Sequence, residues 1–201
     1  ARVASTHGHG RLTAPAAARN AAAIVQMLRD VAPSRGRALE IASGTGQHIV
    51  QLATALPGLS WQPSDIDPAR LTSIAAWAAD ALLPNLRPAC QLDATKAGWA
   101  EEHASQDVIL LVNLLHLIGD TATQVLISES AKALAPGGIV ILYGPFTRSG
   151  VLTSAGDRAF HESLREADPD MGYKDDTIVL NELRAAGLTP MDRVEMPANN
   201  L

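Results

Sequence analysis

The stretch Glu40-Ile41-Ala42-Ser43-Gly44-Thr45-Gly46-Gln47 decides the fold of this chain, because it joins an apolar strand to a helix through a loop with two glycines. Residues 38–41 predict a buried parallel strand. The following residues predict a helix, since apolar side chains recur at helical spacing: Ile49, Leu52, Ala53 and Leu56. At such a turn the backbone bends sharply and can approach a ligand closely. The stretch therefore predicts an α/β fold with a nucleoside-binding loop.

Two classes of cofactor are bound by loops of this kind. Dinucleotide-binding proteins use the pattern G-x-G-x-x-G, but Ile49 stands where the third glycine would be. Methyltransferases that use S-adenosyl-L-methionine keep an acid where Glu40 stands, because their ligand carries an ammonium group and no phosphate. The sequence favours this second class, and a nicotinamide-dependent oxidoreductase remains the alternative.

Two further acids follow at the ends of the next predicted strands. Asp65 lies 19 residues after Gly46, about where an acid at the tip of the second strand accepts the two ribose hydroxyls. The alternative for Asp65 is a helix cap or a turn, although Asp67-Pro68 already has the pattern of a helix start. Asp93 ends a short third strand and is expected to face the adenine amino group.

Residues 107–112 predict the most clearly buried strand, because apolar residues run through it without alternation. Asn113 then emerges beside the predicted cofactor, and His116 follows one turn later. Histidine is a reasonable general base because its unperturbed pKa lies near neutrality. The alternative is that His116 caps or packs a helix start. The segment lacks the Asn-Pro-Pro-aromatic arrangement that grips a planar amine, which argues against methylation of a nucleobase nitrogen.

The fifth strand, residues 139–143, ends at Tyr143, with Phe146 close behind. Both rings are expected to border the substrate, and the alternative is that both lie in the core. Residues 147–156 show little apolar periodicity, which suits a mobile lid over a pocket. Arg148 in this segment is expected to recognise an anionic acceptor.

A helix is predicted ahead of the first strand, over residues 13–31, with Thr13 as its cap. Arg19 and Asn20 lie on it, and a leading helix often closes over the cofactor in such folds. An exposed arginine is the alternative for Arg19. Residues 1–12 are expected to form a flexible tail.

Composition limits the classes of partner. A chain of 201 residues that is 47% hydrophobic can form a single domain with a buried core. The net charge of −5, without a basic run, argues against nucleic acid. The single Cys90 excludes an internal disulfide and a multi-cysteine metal site, and it fits a reducing, cytoplasmic compartment. His7-Gly8-His9 could hold a metal adventitiously, but no metal and no membrane segment are expected.

Taken together, the motifs resemble the methyltransferase-like 26 family, also called the DUF938 or UPF0585 proteins. The matching segments are Ala14-Pro15-Ala16-Ala17-Ala18-Arg19-Asn20, the loop from Glu40 to His48, Trp61-Gln62-Pro63-Ser64-Asp65, Asn113-x-x-His116, Tyr143-Gly144-Pro145-Phe146, Asp168-Pro169 with Gly172, and Met196-Pro197-Ala198-Asn199-Asn200. The Trp-Gln-Pro-Ser-Asp and Met-Pro-Ala-Asn-Asn strings are specific to the family. The chain departs from it at Ser149-Gly150, where Asn-Gly is usual, and at Met171, where tryptophan is usual.

The resemblance implies a Rossmann-like class I methyltransferase fold, with a mostly parallel seven-stranded sheet and helices on both faces. Residues 188–196 predict the sixth strand, and its antiparallel partner is missing. We therefore expect the chain to be shortened or incompletely recorded.

The loop and the resemblance together predict three groups of site residues. The cofactor-binding residues are Asn20, Glu40, Ala42, Ser43, Gly44, Gly46, His48, Asp65, Ile66, Asp93, Ala94, Asn113 and Leu114. The substrate-binding residues are Arg19, Tyr143, Phe146 and Arg148, and the candidate bases are His116 and then Tyr143.

The predicted reaction is direct transfer of a methyl group from S-adenosyl-L-methionine to a small molecule, which leaves S-adenosyl-L-homocysteine. The protein's work is then chiefly positioning and desolvation, and a base is needed only if the acceptor must lose a proton. The sequence does not distinguish O, N, S or C as the acceptor atom, and it does not indicate an oligomeric state. A cofactor-binding protein with a regulatory role is the second hypothesis.

Overall fold

The computed structural model describes residues 5–6 and 10–201, and in them the chain divides into two compact units. The first unit comprises the residues up to 93 together with 103–111 and 134–141. The second unit comprises residues 94–102, 112–133 and 142–201. The expectation of a single domain stays a prediction.

The first unit is built on a five-stranded sheet in the order β5-β4-β3-β6-β7. Its strands are β3 (Gly36–Ile41), β4 (Leu59–Asp65), β5 (Cys90–Gln91), β6 (Gln106–Val112) and β7 (Leu134–Tyr143). The pairs β3–β4, β3–β6 and β4–β5 are parallel. The apolar residues of the central strand β3 are buried, as predicted for residues 38–41. Residues 108–111 of β6 are also fully buried, as their apolar run without alternation predicted.

Helices α1 (Pro15–Val31), α2 (Gln47–Ala55) and α3 (Pro68–Ala81) complete this unit, with a short antiparallel pair of β1 (Ser5–Thr6) and β2 (Leu12–Thr13). Helix α3 begins as predicted, because the Asp67 carboxylate accepts a hydrogen bond from the Ala69 N–H at 2.8 Å. The prediction for α1 was wrong in detail. Thr13 lies in β2, and the capping position is Ala14, whose own N–H donates to Gln47 Oε1 at 2.6 Å.

The predicted flexible tail is anchored where the structure describes it. The Leu12 N–H donates to Ser73 Oγ at 2.8 Å, and Trp77 Nε1–H donates to the Leu12 carbonyl at 3.0 Å. The Arg11 guanidinium lies 5.1 Å from the centre of the Trp77 ring. Residues 11–12 are therefore part of the first unit's fold, whereas His7-Gly8-His9 lies outside the described residues.

The second unit contains helices α4 (Trp99–Glu102), α5 (Asp120–Ala133), α6 (Ala155–Ala167) and α7 (Asp176–Ala185). A short parallel pair joins β8 (Phe146–Thr147) to β9 (Lys174–Asp175). Near its end, Leu201 and Gly144 exchange two backbone hydrogen bonds of 3.0 and 3.1 Å.

The fold class is confirmed as α/β with a mostly parallel sheet, but the main sheet of the described residues has five strands rather than seven. The sixth strand predicted over residues 188–196 is not formed, and only Met196 takes part in a bridge, with Asn200. Pro190 has no N–H group to donate to a neighbouring strand, and no strand among the described residues pairs with residues 188–195, so the segment lacks the hydrogen bonds that a sheet requires. None of the described helices combines the length and apolarity that crossing a bilayer requires.

Candidate functional site

The loop between β3 and α2 has the sharply bent backbone that its glycines predicted. Ala42, Gly44 and Gly46 all adopt positive φ angles, of 54°, 60° and 88°. The Ser43 N–H donates to the Ser64 carbonyl at 2.7 Å, which ties the loop to the neighbouring strand β4. Hydrogen bonding to β4 thus holds the loop in a conformation that favours glycine.

The two glycines of the loop have different surroundings. A Cβ atom added to Gly46 would lie 2.9 Å from the Ile74 Cα atom, so this glycine lets α2 approach α3 closely. A Cβ atom added to Gly44 would meet only the Ala42 carbonyl oxygen, at 3.9 Å. Gly44 therefore borders open space, where a ligand can approach the backbone. Helix packing alone accounts for Gly46, and its predicted ligand contact stays a prediction.

Asp65 ends β4 beside this loop and is 6% exposed. Its Oδ2 accepts a hydrogen bond from the Gly44 N–H at 2.9 Å, and its Oδ1 accepts one from the Asp67 N–H at 3.0 Å. Each carboxylate oxygen has two acceptor positions, so each can accept one further hydrogen bond. Asp65 is thus held in a turn and still offers a pair of oxygens suited to two adjacent hydroxyls. The cap of α3 is Asp67 instead.

Glu40 is buried near the end of the central strand, with 1% exposure. Its backbone carbonyl accepts hydrogen bonds from the hydroxyls of Ser64, at 2.8 Å, and Ser43, at 3.3 Å. Its side-chain Oε2 is buried without a hydrogen-bond partner. Burial raises the pKa of Glu40 to about 8; the Ser43 hydroxyl opposes this shift and the Asp65 carboxylate adds to it. The carboxyl group is therefore largely protonated at neutral pH.

His48 in the first turn of α2 and Asn20 on α1 form a buried pair, with 2.8 Å between His48 Nε2 and Asn20 Oδ1. Burial lowers the pKa of His48 to about 4, so its ring is neutral near pH 7. Because the amide oxygen can only accept, Nε2 carries the proton and Nδ1 is left as an acceptor. The pair joins the leading helix to the start of the helix that follows the glycine loop.

The remaining predicted residues of the first unit differ in burial. Ser43 is buried, Ala42 and Asp93 are partly buried, and Ile66 is 54% exposed directly after Asp65. Arg19 is exposed, as the alternative for this residue expected.

In the second unit, Asn113 lies just after β6 with a positive φ of 59°. Its N–H donates to the Tyr143 carbonyl at 2.8 Å, so the unit brings these two predicted residues together. Leu114 is partly buried and Ala94 is buried in this unit. Tyr143 and Phe146 are both buried, as the core alternative expected.

His116 belongs to a 3-10 turn of the second unit and is 6% exposed. Its ring makes edge contacts with the rings of Phe160 and Tyr173, with centroids 5.7 and 6.3 Å apart. Burial, and secondarily the charge of Lys174, lower the pKa of His116 to about 4. The ring is therefore neutral but weakly basic, and its contacts favour the packing role over the role of general base.

The segment 147–156 is anchored at its start, contrary to the expectation of a mobile lid. Thr147 Oγ1–H donates to Asp175 Oδ2 at 2.8 Å, and the Ser149 N–H donates to Asp176 Oδ1 at 3.0 Å. Arg148 forms an ion pair of 2.9 Å with Glu195. The composition of the segment suggested mobility because the carboxylates that anchor it, those of Asp175, Asp176 and Glu195, lie at least 25 positions later in the chain.

Sequence reasoning missed a hydrogen-bond cluster around the buried Asp157 in the second unit. Its carboxylate accepts from the hydroxyls of Thr153, Ser154 and Tyr173 and from the Asn199 amide, at 2.6 to 3.1 Å. These hydroxyls and the amide lower the pKa of Asp157 against the opposing effect of burial. Ser154 also caps α6 by accepting from the Asp157 N–H. The one sequence signal for this cluster is the spacing of three residues between Ser154 and Asp157, and that spacing indicates only the start of a helix.

The model of the family described as "Protein of unknown function (DUF938)" matches residues 11–201. Among solved structures, the chain is similar to an O-methyltransferase family protein from Burkholderia thailandensis, with 17% identity, a TM-score of 0.70, and 87% of this chain and 55% of that chain covered. It is also similar to an O-methyltransferase family 2 protein from Planctomyces limnophilus in complex with apigenin, with 17% identity, a TM-score of 0.72, and coverage of 90% and 59%.

A third similar structure is human N-acetylserotonin methyltransferase in complex with S-adenosyl-L-methionine, with 15% identity, a TM-score of 0.73, and coverage of 92% and 50%. The chain thus spans between 50% and 59% of the length of these three structures. At these identities, the likeness is one of fold.

Proposed function

The chain belongs to the DUF938 family, and we propose that it is a methyltransferase that uses S-adenosyl-L-methionine and acts on a small molecule. The observation that carries the proposal is the arrangement of Glu40, Gly44 and Asp65 around one loop. It combines a buried carboxyl oxygen without a partner, open space at a glycine, and a fixed carboxylate with free acceptor positions. The similar structures support the proposal through their fold and the methyltransferase names they carry.

The arrangement fits the cofactor part by part. We assign Asp65 to the ribose hydroxyls, Glu40 to the ammonium group, and Gly44 to the close approach of the backbone. The neutral His48, held by Asn20 through Nε2, keeps its Nδ1 as an acceptor. The proposed contacts of the other cofactor residues rest on their positions in the sequence: Ala42, Ser43, Gly46, Ile66, Asp93, Ala94, Asn113 and Leu114.

When bound, S-adenosyl-L-methionine supplies a methyl group that its positively charged sulfur already activates. The chain's residues then have to bind, orient and exclude water. His116 is a weak candidate base because its surroundings lower its pKa to about 4, and Tyr143 is the other candidate. Arg19, Phe146 and Arg148 remain proposed acceptor contacts. Arg148 pairs through Nη2 with Glu195, whose side chain is 71% exposed and thus weakly held. Its Nη1 is buried without a hydrogen-bond partner, so the guanidinium keeps donors for an anionic acceptor.

The test is transfer of a labelled methyl group from S-adenosyl-L-methionine to an extract of small metabolites. The proposal expects a labelled small product from the wild-type chain and much less, at a limiting cofactor concentration, from Asp65→Ala, which loses the ribose acceptor. A chain that binds the cofactor but labels nothing would instead support the second hypothesis, a cofactor-binding protein without transferase activity. This second hypothesis is supported by the low pKa of His116, about 4, because the first candidate base is then a poor proton acceptor.

The finer relationship to the methyltransferase-like 26 group rests on the motifs quoted above, and we propose it on that ground. A cytoplasmic location and the absence of nucleic-acid and membrane partners are likewise proposals from composition. The described residues contain no cluster of three or more His, Cys, Asp or Glu side chains placed to hold a metal ion.

A further inference from the structure

Glu40 lies in a site that suits a neutral carboxyl group better than a charged one. One of its side-chain oxygens is buried without a hydrogen-bond partner, and no ion pair among the described residues includes it. The Ser64 hydroxyl donates to its backbone carbonyl at 2.8 Å, and the Ser43 hydroxyl, 3.3 Å from the same carbonyl, only partly offsets the effect of burial on the pKa of the side chain. A buried carboxylate normally has a cation or several donors around it, because an uncompensated buried charge is unfavourable.

The ionisable groups around Glu40 reinforce this preference. Asp65, on the flanking strand β4, is a second carboxylate that raises the pKa of Glu40, which burial already raises to about 8. On the other flank, the register partner in β6 is Leu110, which is apolar. His48, on the helix after the loop, is neutral because burial lowers its pKa to about 4. The first unit therefore offers Glu40 a negative neighbour and no described cation.

We infer that Glu40 holds a proton in the free protein and gives it up when it receives the ammonium group of the cofactor. The inference rests on the proposed function, because it takes S-adenosyl-L-methionine as the ligand. The neutral carboxyl group loses its proton to solvent, and the resulting carboxylate pairs with the ammonium group, which keeps its own proton. One proton is released for each cofactor bound, and no covalent bond of the cofactor changes.

Proton release makes the affinity depend on pH in one direction. Below pH 8 the free protein must lose a proton to bind, so the affinity rises as the pH rises. Between pH 6 and pH 7 the affinity for S-adenosyl-L-methionine should increase about tenfold, as linkage requires for one released proton. A cofactor site with a permanently ionised acid would show no such increase.

The experiment is calorimetric titration near pH 6.5 in two buffers that differ in their enthalpy of ionisation. At this pH an α-amino group, with a pKa of about 7.7–8.0, is mostly protonated, so it contributes little to the proton balance. The wild-type chain should release about one proton with S-adenosyl-L-methionine and with S-adenosyl-L-homocysteine. Methylthioadenosine, which keeps the adenosine and sulfur but lacks the ammonium group, should bind without proton release.

Two variants locate the proton. Glu40→Gln should bind S-adenosyl-L-methionine without proton release and with lower affinity. Glu129→Gln is the matched control, since Glu129 is also a buried glutamate but accepts from the Gly98 and Ala100 amides and from Lys132, which lowers its pKa. Its proton release should equal that of the wild type.

The possible failures are distinguishable. If no ligand binds to the folded wild-type chain, the proposed function fails. If S-adenosyl-L-methionine binds with the same enthalpy in both buffers, the proposed function stands and the inference about Glu40 is overturned. Release that persists with methylthioadenosine or in Glu40→Gln also overturns it, because the proton then comes from another group. If Glu40→Gln does not bind or fold, the inference is tested on the wild-type chain alone. Proton release with S-adenosyl-L-methionine but not with methylthioadenosine supports it, and equal release with both ligands overturns it.

Discussion

At the scale of single residues, Asp65 serves the loop as well as the proposed ligand. Its carboxylate accepts from the Gly44 and Asp67 amides, so removing it affects stability as well as binding. Its neighbour Asp67 has a purely local task, since it caps α3. The two acids stand two positions apart, and only one of them faces the glycine loop. They therefore form a matched pair for mutagenesis.

We predict that Asp65→Ala lowers the affinity for S-adenosyl-L-methionine at least tenfold, because hydrogen bonds to a charged group contribute roughly 1.5–3 kcal/mol each. The variant should also unfold at a lower temperature than the wild type. Asp67→Ala should lose about 1 kcal/mol of stability with its helix cap and keep normal affinity. Calorimetric and thermal titrations measure both quantities, and normal binding by Asp65→Ala would refute the ribose assignment.

The glycines give a second pair of variants. Both have φ angles in the left-handed region, so an alanine carries a similar backbone penalty of roughly 1 kcal/mol at either position. Gly46→Ala should add a clash with the Ile74 backbone and lose much more stability than Gly44→Ala. Gly44→Ala should instead weaken cofactor binding, because its methyl group enters the open space. Thermal unfolding and titration of both variants check this, and equal stability losses would contradict it.

The pKa of Glu40 predicts a stability that depends on pH even without ligand. The folded chain holds this proton up to about pH 8, whereas the unfolded chain loses it near 4.5. The folded state therefore binds more protons in this interval, so Glu40 makes stability fall as the pH rises from 4.5 to 8. Glu40→Gln mimics the protonated group and should lose less stability over this interval than the wild type. Parallel unfolding curves would argue against a protonated Glu40.

At the scale of elements, strands β3 and β6 were predictable because their apolar residues carry the information locally. The start of α1 was not predictable in this way. Ala14 rather than Thr13 occupies the capping position, and its N–H donates to Gln47, which lies 33 residues later in the chain. The strand predicted over residues 188–196 failed for a related reason, because a strand needs a partner and its own sequence does not supply one. A local sequence pattern thus predicts an element that is stabilised by burial of its own apolar side chains. It does not predict an element whose ends or pairing depend on particular distant residues.

The anchoring of residues 147–156 gives a prediction for this element. The Ser149 and Gly150 amides donate to Asp176 and Asp175, so they should exchange slowly with solvent deuterium even without ligand. Residues 191–194 form no helix or strand and should exchange quickly in the same experiment. Fast exchange at both places, followed by protection when cofactor and acceptor bind together, would restore the lid interpretation.

At the scale of the whole molecule, the candidate cofactor site was predictable only in part. Glu40, Gly44 and Asp65 follow from one short motif and the strand after it. The protonated state of Glu40 and the pairing of Asn20 with His48 required the fold, because they depend on burial and on residues 28 positions apart. The Asp157 cluster also includes Tyr173 and Asn199, which lie 16 and 42 positions away, so the local pattern at Ser154 indicates a helix start and not the cluster.

Calorimetric titration of the wild-type chain with S-adenosyl-L-methionine, with NAD titrated in parallel, tests the central claim most directly. The arrangement of Glu40, Gly44 and Asp65 predicts saturable binding of S-adenosyl-L-methionine and no binding of NAD, because the loop lacks the third glycine and offers a buried acid instead of a phosphate site. A folded chain that ignores S-adenosyl-L-methionine, or that binds NAD at this loop, would contradict the claim.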